Sequence, residues 1–140
     1  MTAVDIAERR ARFRAFGFLI LAVLTCGVMI VVRADPENDF TTGLWLGLLV
    51  GCAVNLLPIK RWLTPNNAVS RLLDDEGARE NRRSSCTVGF WAAVGAALFF
   101  QLASHFNRGI GAEEVGQIVA TAGIVSAMIT FAILELRAAR

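Results

Sequence analysis

The chain contains 140 residues, of which 55% are hydrophobic and 19% charged, and its formal net charge is +2. The charged residues are confined to short segments, which leave four runs of 18 to 24 residues without any Asp, Glu, Lys or Arg. Because these runs are apolar on all sides, they exclude a soluble domain built from amphipathic helices. The four runs are Ala15–Val32, Phe40–Ile59, Ser84–Asn107 and Val115–Leu134.

Each run is long enough to cross a bilayer once, because a hydrocarbon core of about 30 Å needs roughly 20 helical residues. We therefore predict an all-α membrane protein whose residues 1–140 form a single four-helix transmembrane domain. A cleavable signal peptide is not expected, because the charged lead is long and no small-residue cleavage site ends the first run. The predicted spans are about 15–32, 40–59, 86–106 and 115–134.

The basic residues indicate the orientation in the membrane. With the N-terminus inside, segments 1–14, 60–83 and 135–140 hold twelve of the 14 Lys and Arg residues, and the outer connections hold only Arg33 and Arg108. This bias is the one that the positive-inside rule describes. We therefore expect a multi-pass protein of the bacterial inner (cytoplasmic) membrane with both termini in the cytoplasm.

The two outer connections, 33–39 and 108–114, are short. Connections of this length join helices that lie side by side and run in opposite directions. The first two spans, and likewise the last two, are therefore predicted to form antiparallel hairpins.

Small residues recur at four-residue spacing in three of the spans, a pattern that lets helix backbones approach closely in lipid. One interpretation is contact within a single bundle, which is favoured for any one stripe. The other interpretation is an interface between copies of the chain. Because three such stripes are more than one small bundle requires, we also expect a homodimer or higher oligomer. The residues of this helix-packing or oligomer face are Gly43, Gly47, Gly51, Gly89, Ala93, Gly116 and Gly123.

The segment 60–83 is the longest predicted cytoplasmic connection. Pro65, Asn66 and Asn67 predict a turn, and a helix over about 68–83 follows and continues into the third span. Its acidic residues precede its arginines, which suits the helix dipole. We expect either a partner-binding surface or a merely solvated connector here. The candidate surface consists of Asp74, Asp75, Glu76, Arg79, Arg82 and Arg83.

The stretch from Leu72 to Arg83, with the sequence LLDDEGARENRR, is followed by Gly89, Phe90 and Trp91. This arrangement resembles a group of small, largely uncharacterised four-span bacterial membrane proteins with an acidic and arginine-containing helix before a Gly-Phe-Trp third span. Genes of such families often lie beside a small helix-turn-helix regulator, so the resemblance implies a membrane partner for a transcription factor. Gly77 departs from a good helix sequence and costs about 1 kcal/mol relative to Ala.

Groups that carry catalysis or bind metals are scarce. His105 is the only histidine, and Cys26, Cys52 and Cys86 form no CxxC pair. Paired catalytic carboxylates, a Ser-His-Asp set and a glycine-rich phosphate loop are not evident. We therefore expect no enzyme, no cofactor, no metal site and no direct nucleic-acid binding.

Two function classes remain open. The first is a non-enzymatic interaction protein, such as a regulator's membrane partner or an accessory subunit. The second is a small-solute carrier or a pore formed by a homo-oligomer. The spans lack charged residues, which disfavours a coupled carrier. Glu135 is expected to reach water at the inner end of the fourth span, and Asn55 is expected to hydrogen-bond across helices.

Overall fold

The four apolar runs fold as four long α-helices in a computed structural model of the chain. Helix α1 spans Ala3–Ala34, α2 spans Asp39–Leu56, α3 spans Glu76–Phe106 and α4 spans Ala112–Ala138. The structure describes residues 3–56, 76–106 and 111–138. Each helix contains a segment long and apolar enough to cross a membrane. The predicted all-α architecture with four candidate membrane spans is thus confirmed.

Helices α1, α3 and α4 begin ahead of their apolar runs. Helix α1 begins at Ala3, and its candidate membrane span is Ala11–Ala34. The charged lead continues the helix because alanine, arginine and glutamate are all good helix formers. Helix α3 is continuous from Glu76 into the apolar run. The predicted connecting helix over 68–83 is therefore partly described, and its residues 68–75 lie outside the described part of the chain.

Helix α4 occupies the centre of the bundle. It packs most extensively against α3, next against α1 and least against α2, while α1 also packs against α2. The contact between α3 and α4 is a backbone-to-backbone one. A Cβ added to Gly89 would lie 2.5 Å from the Gly123 carbonyl oxygen and 2.7 Å from the Ala127 Cβ. The absence of side chains at these glycines is therefore what allows the two helices to approach so closely.

Helix α1 contacts α4 through side chains of mixed size. Its buried residues recur every three or four positions, so they share one face. Phe18 on this face packs edge-to-face on Phe131, with ring centroids 5.0 Å apart and an interplanar angle of 67°. The buried positions of α1 are Ala15, Phe18, Ala22, Thr25, Met29 and Val32.

The connection between α1 and α2 is a short capped turn. The Asn38 side-chain oxygen accepts hydrogen bonds from the backbone N–H groups of Phe40 and Thr41, at 3.2 and 3.4 Å. This is the role of an N-cap residue, and Asp39 in the first turn of α2 suits the positive end of the helix dipole.

The outer surface of the bundle is strongly apolar, as expected of helices that face lipid. Large hydrophobic side chains are exposed on every helix, and α3 is the helix whose apolar segment is least covered by the rest of the chain. The exposed large hydrophobic side chains of α3 are Val88, Phe90, Trp91, Leu98, Phe99 and Leu102.

Candidate functional site

A partly buried ion pair joins α1 to α4 at one end of the bundle. The Arg14 Nη2 donates to the Glu135 Oε2 at 2.6 Å, and only 6% of the Glu135 side chain is exposed. Phe131 precedes Glu135 by one helical turn, and the Arg14 guanidinium carbon lies 5.4 Å from the centroid of its ring. This geometry adds a cation–π contact to the ion pair.

The burial of Glu135 corrects the expectation from the sequence that this acid reaches water. Position along the chain places Glu135 at the end of the apolar run, but the helix turns its side chain towards α1. There the guanidinium takes the place of water as the group that compensates the carboxylate. An ionised side chain so little exposed needs such a partner.

A second ion pair between the same two helices lies at the opposite end of the bundle. The Arg33 Nη2 donates to the Glu114 Oε2 at 3.5 Å, and the side chains are 45% and 48% exposed. An exposed and long contact of this kind contributes little to stability, typically about 0–1 kcal/mol, because water and salt screen it.

Two polar contacts lie in the interior between these ends. The Trp45 Nε1 donates to the Thr121 Oγ1 at 3.0 Å, and both residues are buried. The Thr25 hydroxyl donates to the Leu21 carbonyl of its own helix at 2.8 Å and lies 3.8 Å from the Cys52 sulfur. These contacts link α2 to α4 and α1 to α2, and they satisfy side chains that would otherwise be unpaired in an apolar interior.

The small-residue stripes have different surroundings. In α3 and α4, Gly89 packs against Gly123, and a Cβ on Gly123 would lie 3.1 Å from the Cβ of Ala93. Added Cβ atoms at Gly116 and at the α2 glycines would meet no atom within 4 Å in the described structure.

The open stripe of α2 forms one side of a shallow apolar groove of about 330 Å³. Its three glycines, Gly43, Gly47 and Gly51, line this groove together with leucine side chains of α1 and α2. We call this surface the α2 groove.

Asn55 lies at the end of the α2 groove. Its side-chain amide donates to the Gly51 carbonyl at 2.8 Å, so it bonds within its own helix, and the residue is exposed. The expected hydrogen bond to another helix is therefore not its contact in this chain. The carbonyl one turn earlier is within easy reach of a short polar side chain.

The candidate partner surface begins α3. Arg79 and Arg83 are exposed and Arg82 is half-buried, all within the first turns of the helix. Asp74 and Asp75 lie outside the described residues, and Glu76 is the first residue of α3. The arginines thus lie on an ordered helix that leads directly into the apolar segment.

The cysteines do not form a cluster with other reactive groups. Cys52 is buried between α1 and α2, whereas Cys26 and Cys86 are exposed, and all three thiols are free. Within the described ranges, no three His, Cys, Asp or Glu side chains come together as metal ligands would.

Sequence reasoning missed the Arg14–Glu135 pair. The signal was present, because Glu135 is the one acid that follows the fourth apolar run and an acid next to a membrane span calls for a partner. The choice of Arg14 among the twelve basic residues assigned to the same side depends on how α1 and α4 pack.

Comparison with known proteins adds no family to this description. No family model, no curated protein and no solved structure matches the chain.

Proposed function

We propose that the chain is a non-enzymatic interaction protein of the bacterial cytoplasmic membrane, acting as the membrane partner of a small transcriptional regulator or as an accessory subunit. The observation that carries this proposal is the continuity of α3. The helix extends from Glu76 to Arg83 before its apolar run begins at Ser84, a length of about 12 Å. A protein bound to this extension would contact a rigid helix of the bundle.

The proposed topology has two antiparallel hairpins and both termini in the cytoplasm. The distribution of Lys and Arg supports the orientation. The two ion pairs support an antiparallel arrangement of α1 and α4, because Arg14 in the first half of α1 contacts Glu135 near the end of α4, and Arg33 at the end of α1 contacts Glu114 at the start of α4. An antiparallel arrangement of these two helices is consistent with both termini lying on the same side of a bilayer.

We further propose that the protein self-associates through the α2 groove. The α3–α4 stripe is already occupied by intrachain contact, whereas the α2 glycines have space beside them in the described structure. In lipid, helices associate by close packing of small residues, since the lipid tails are as apolar as the side chains.

A carrier or pore formed by several copies is the alternative function. The described spans offer little for this role, because the buried Glu135 is paired with Arg14 and the buried Trp45 and Thr121 bond to each other. An interior ion or proton site would need a charged or polar group without such a partner.

The partner proposal is tested by removing the acidic residues at and immediately before the start of α3. Asp74, Asp75 and Glu76 are replaced together by Ser, and soluble proteins that co-purify with the membrane-inserted variant are quantified by mass spectrometry. We expect the recovery of a cytoplasmic regulator or enzyme subunit to fall at least tenfold, since about 1.4 kcal/mol of lost contact corresponds to that factor.

The matched control replaces three acids on the other predicted side, Asp35, Glu37 and Asp39, by Ser. The control removes the same formal charge and is expected to leave co-purification unchanged. Equal recovery from the wild type and the Asp74–Glu76 variant would refute the acidic group as a binding surface.

A further inference from the structure

The two ion pairs between α1 and α4 differ in a way that assigns them different roles. They join the same two helices and have the same chemistry, an arginine of α1 and a glutamate of α4. At one end the distance is 2.6 Å and the glutamate side chain is 6% exposed. At the other end the distance is 3.5 Å and both side chains are nearly half exposed.

The way in which α1 is held on α4 makes this difference important. Helix α3 is attached to α4 by direct backbone approach at Gly89 and Gly123. Helix α1 instead meets α4 through side chains, in an interface that combines alanines with larger groups such as Phe18 and Phe131. In a bilayer no water is excluded when two helices meet, so van der Waals packing and polar contacts such as an ion pair together determine whether the helices stay associated.

We propose that the Arg14–Glu135 pair is a latch that keeps the first part of α1 on α4, and that α1 opens from this end when the pair is broken. The Arg33–Glu114 pair does not have this role. The latch controls the segment Ala3–Arg14, which extends α1 ahead of its uncharged run. It therefore couples an N-terminal arm to the C-terminal helix, a connection that is independent of the proposed partner surface on α3.

The exposed fractions of the two side chains also predict whether loss of Arg14 or loss of Glu135 disturbs the bundle more. The Arg14 side chain is 35% exposed, so it can turn towards water when Glu135 is neutralised. The Glu135 side chain is almost fully buried, so loss of Arg14 leaves a carboxylate without a counter-charge in an apolar setting. Arg14→Gln should therefore disturb the bundle more than Glu135→Gln.

The test is amide hydrogen exchange of the full chain in detergent micelles, followed by mass spectrometry of peptides from each end of α1. Arg14→Gln is expected to raise exchange in peptides covering residues 11–18 by about tenfold or more, and Glu135→Gln by a smaller factor. The matched control, Arg33→Gln, is expected to change exchange in peptides covering residues 25–34 by less than about twofold. Equal effects of Arg14→Gln and Arg33→Gln on their own ends would overturn the proposal.

A charge exchange separates the latch from a general effect of substitution. Arg14→Glu combined with Glu135→Arg restores an ion pair and leaves the number of basic residues at this end unchanged, so the topology signal is preserved. We expect the exchanged pair to return protection of residues 11–18 towards the wild-type level. If Arg14→Gln yields no folded protein, the comparison is between Arg14→Glu alone and the double variant. Recovery of folded protein only in the double variant supports the latch, and equal loss in both overturns it.

Discussion

The contact between α3 and α4 allows a sharp test at Gly89. A Cβ at this position would lie 2.5 Å from the Gly123 carbonyl oxygen and 2.7 Å from the Ala127 Cβ, whereas ordinary contacts begin near 3.4 Å. Gly89→Ala therefore requires the two helices to move apart by roughly 0.5–1 Å, a gap that forfeits a quarter to a half of each contact's dispersion energy. Overpacking of this size costs about 1–3 kcal/mol.

Helix propensity acts in the opposite direction and must be subtracted. Alanine is favoured over glycine inside a helix by about 1 kcal/mol. Gly95 lies in the same helix, and a Cβ added there would meet no atom within 4 Å in the described chain. Gly95→Ala should therefore be neutral or stabilising by up to about 1 kcal/mol, whereas Gly89→Ala should be neutral or destabilising by up to about 2 kcal/mol.

The measurement is reversible unfolding of both variants in mixed micelles, with the difference in unfolding free energy between Gly89→Ala and Gly95→Ala as the readout. We expect Gly89→Ala to be the less stable of the two by about 1–3 kcal/mol. Equal stability of the two variants would refute the close approach of α3 to α4, because helix propensity changes identically at both positions.

Two further predictions concern the topology and the oligomer. A reporter that is active only in the periplasm should be active when inserted at Glu37 or Glu113 and inactive at the C-terminus. Activity at the C-terminus would show that the orientation inferred from the Lys and Arg residues is wrong. Gly47→Ile should lower the mass of the detergent-solubilised particle from an oligomer to a monomer, whereas Gly95→Ile, also at an open glycine, should not. A monomeric wild type, or an oligomer that persists in Gly47→Ile, would show that copies of the chain do not associate through the α2 groove.

The helices could be predicted from the sequence because uncharged runs of bilayer length have few other structures available to them. Their arrangement could not be predicted. All four runs are apolar around their whole circumference, so no periodic face distinguishes the central helix α4 from the peripheral helix α2. The sequence also did not show where the first helix begins. The charged residues before Ala15 and the first span form one continuous helix.

The small-residue stripes illustrate the same limit. Gly43, Gly47 and Gly51 have the spacing of a packing face at least as clearly as Gly89 and Ala93 do. Of these residues, however, only the latter pair lies in close contact with another helix in the described part of the chain. Spacing establishes that a backbone can be approached closely, but the partner is determined by which helices become neighbours. Which helices become neighbours depends on the loops that connect them and on individual polar contacts, such as the hydrogen bond from Trp45 to Thr121.

The position of the proposed partner surface has a mechanical consequence. The segment ahead of Ser84 continues into α3, and α3 is joined to the central helix α4 by backbone contact at Gly89. A displacement of the α3 extension by a bound protein would therefore reach α4 directly, because no flexible side chain lies between the two backbones. Helix α1 would receive the same displacement through side-chain contacts, such as Phe18 on Phe131, and through the ion pairs of Glu135 and Glu114 with its arginines. The proposed partner surface is thus connected to α4 by close backbone packing, whereas the further connection from α4 to α1 depends on side chains, among them the Arg14–Glu135 pair.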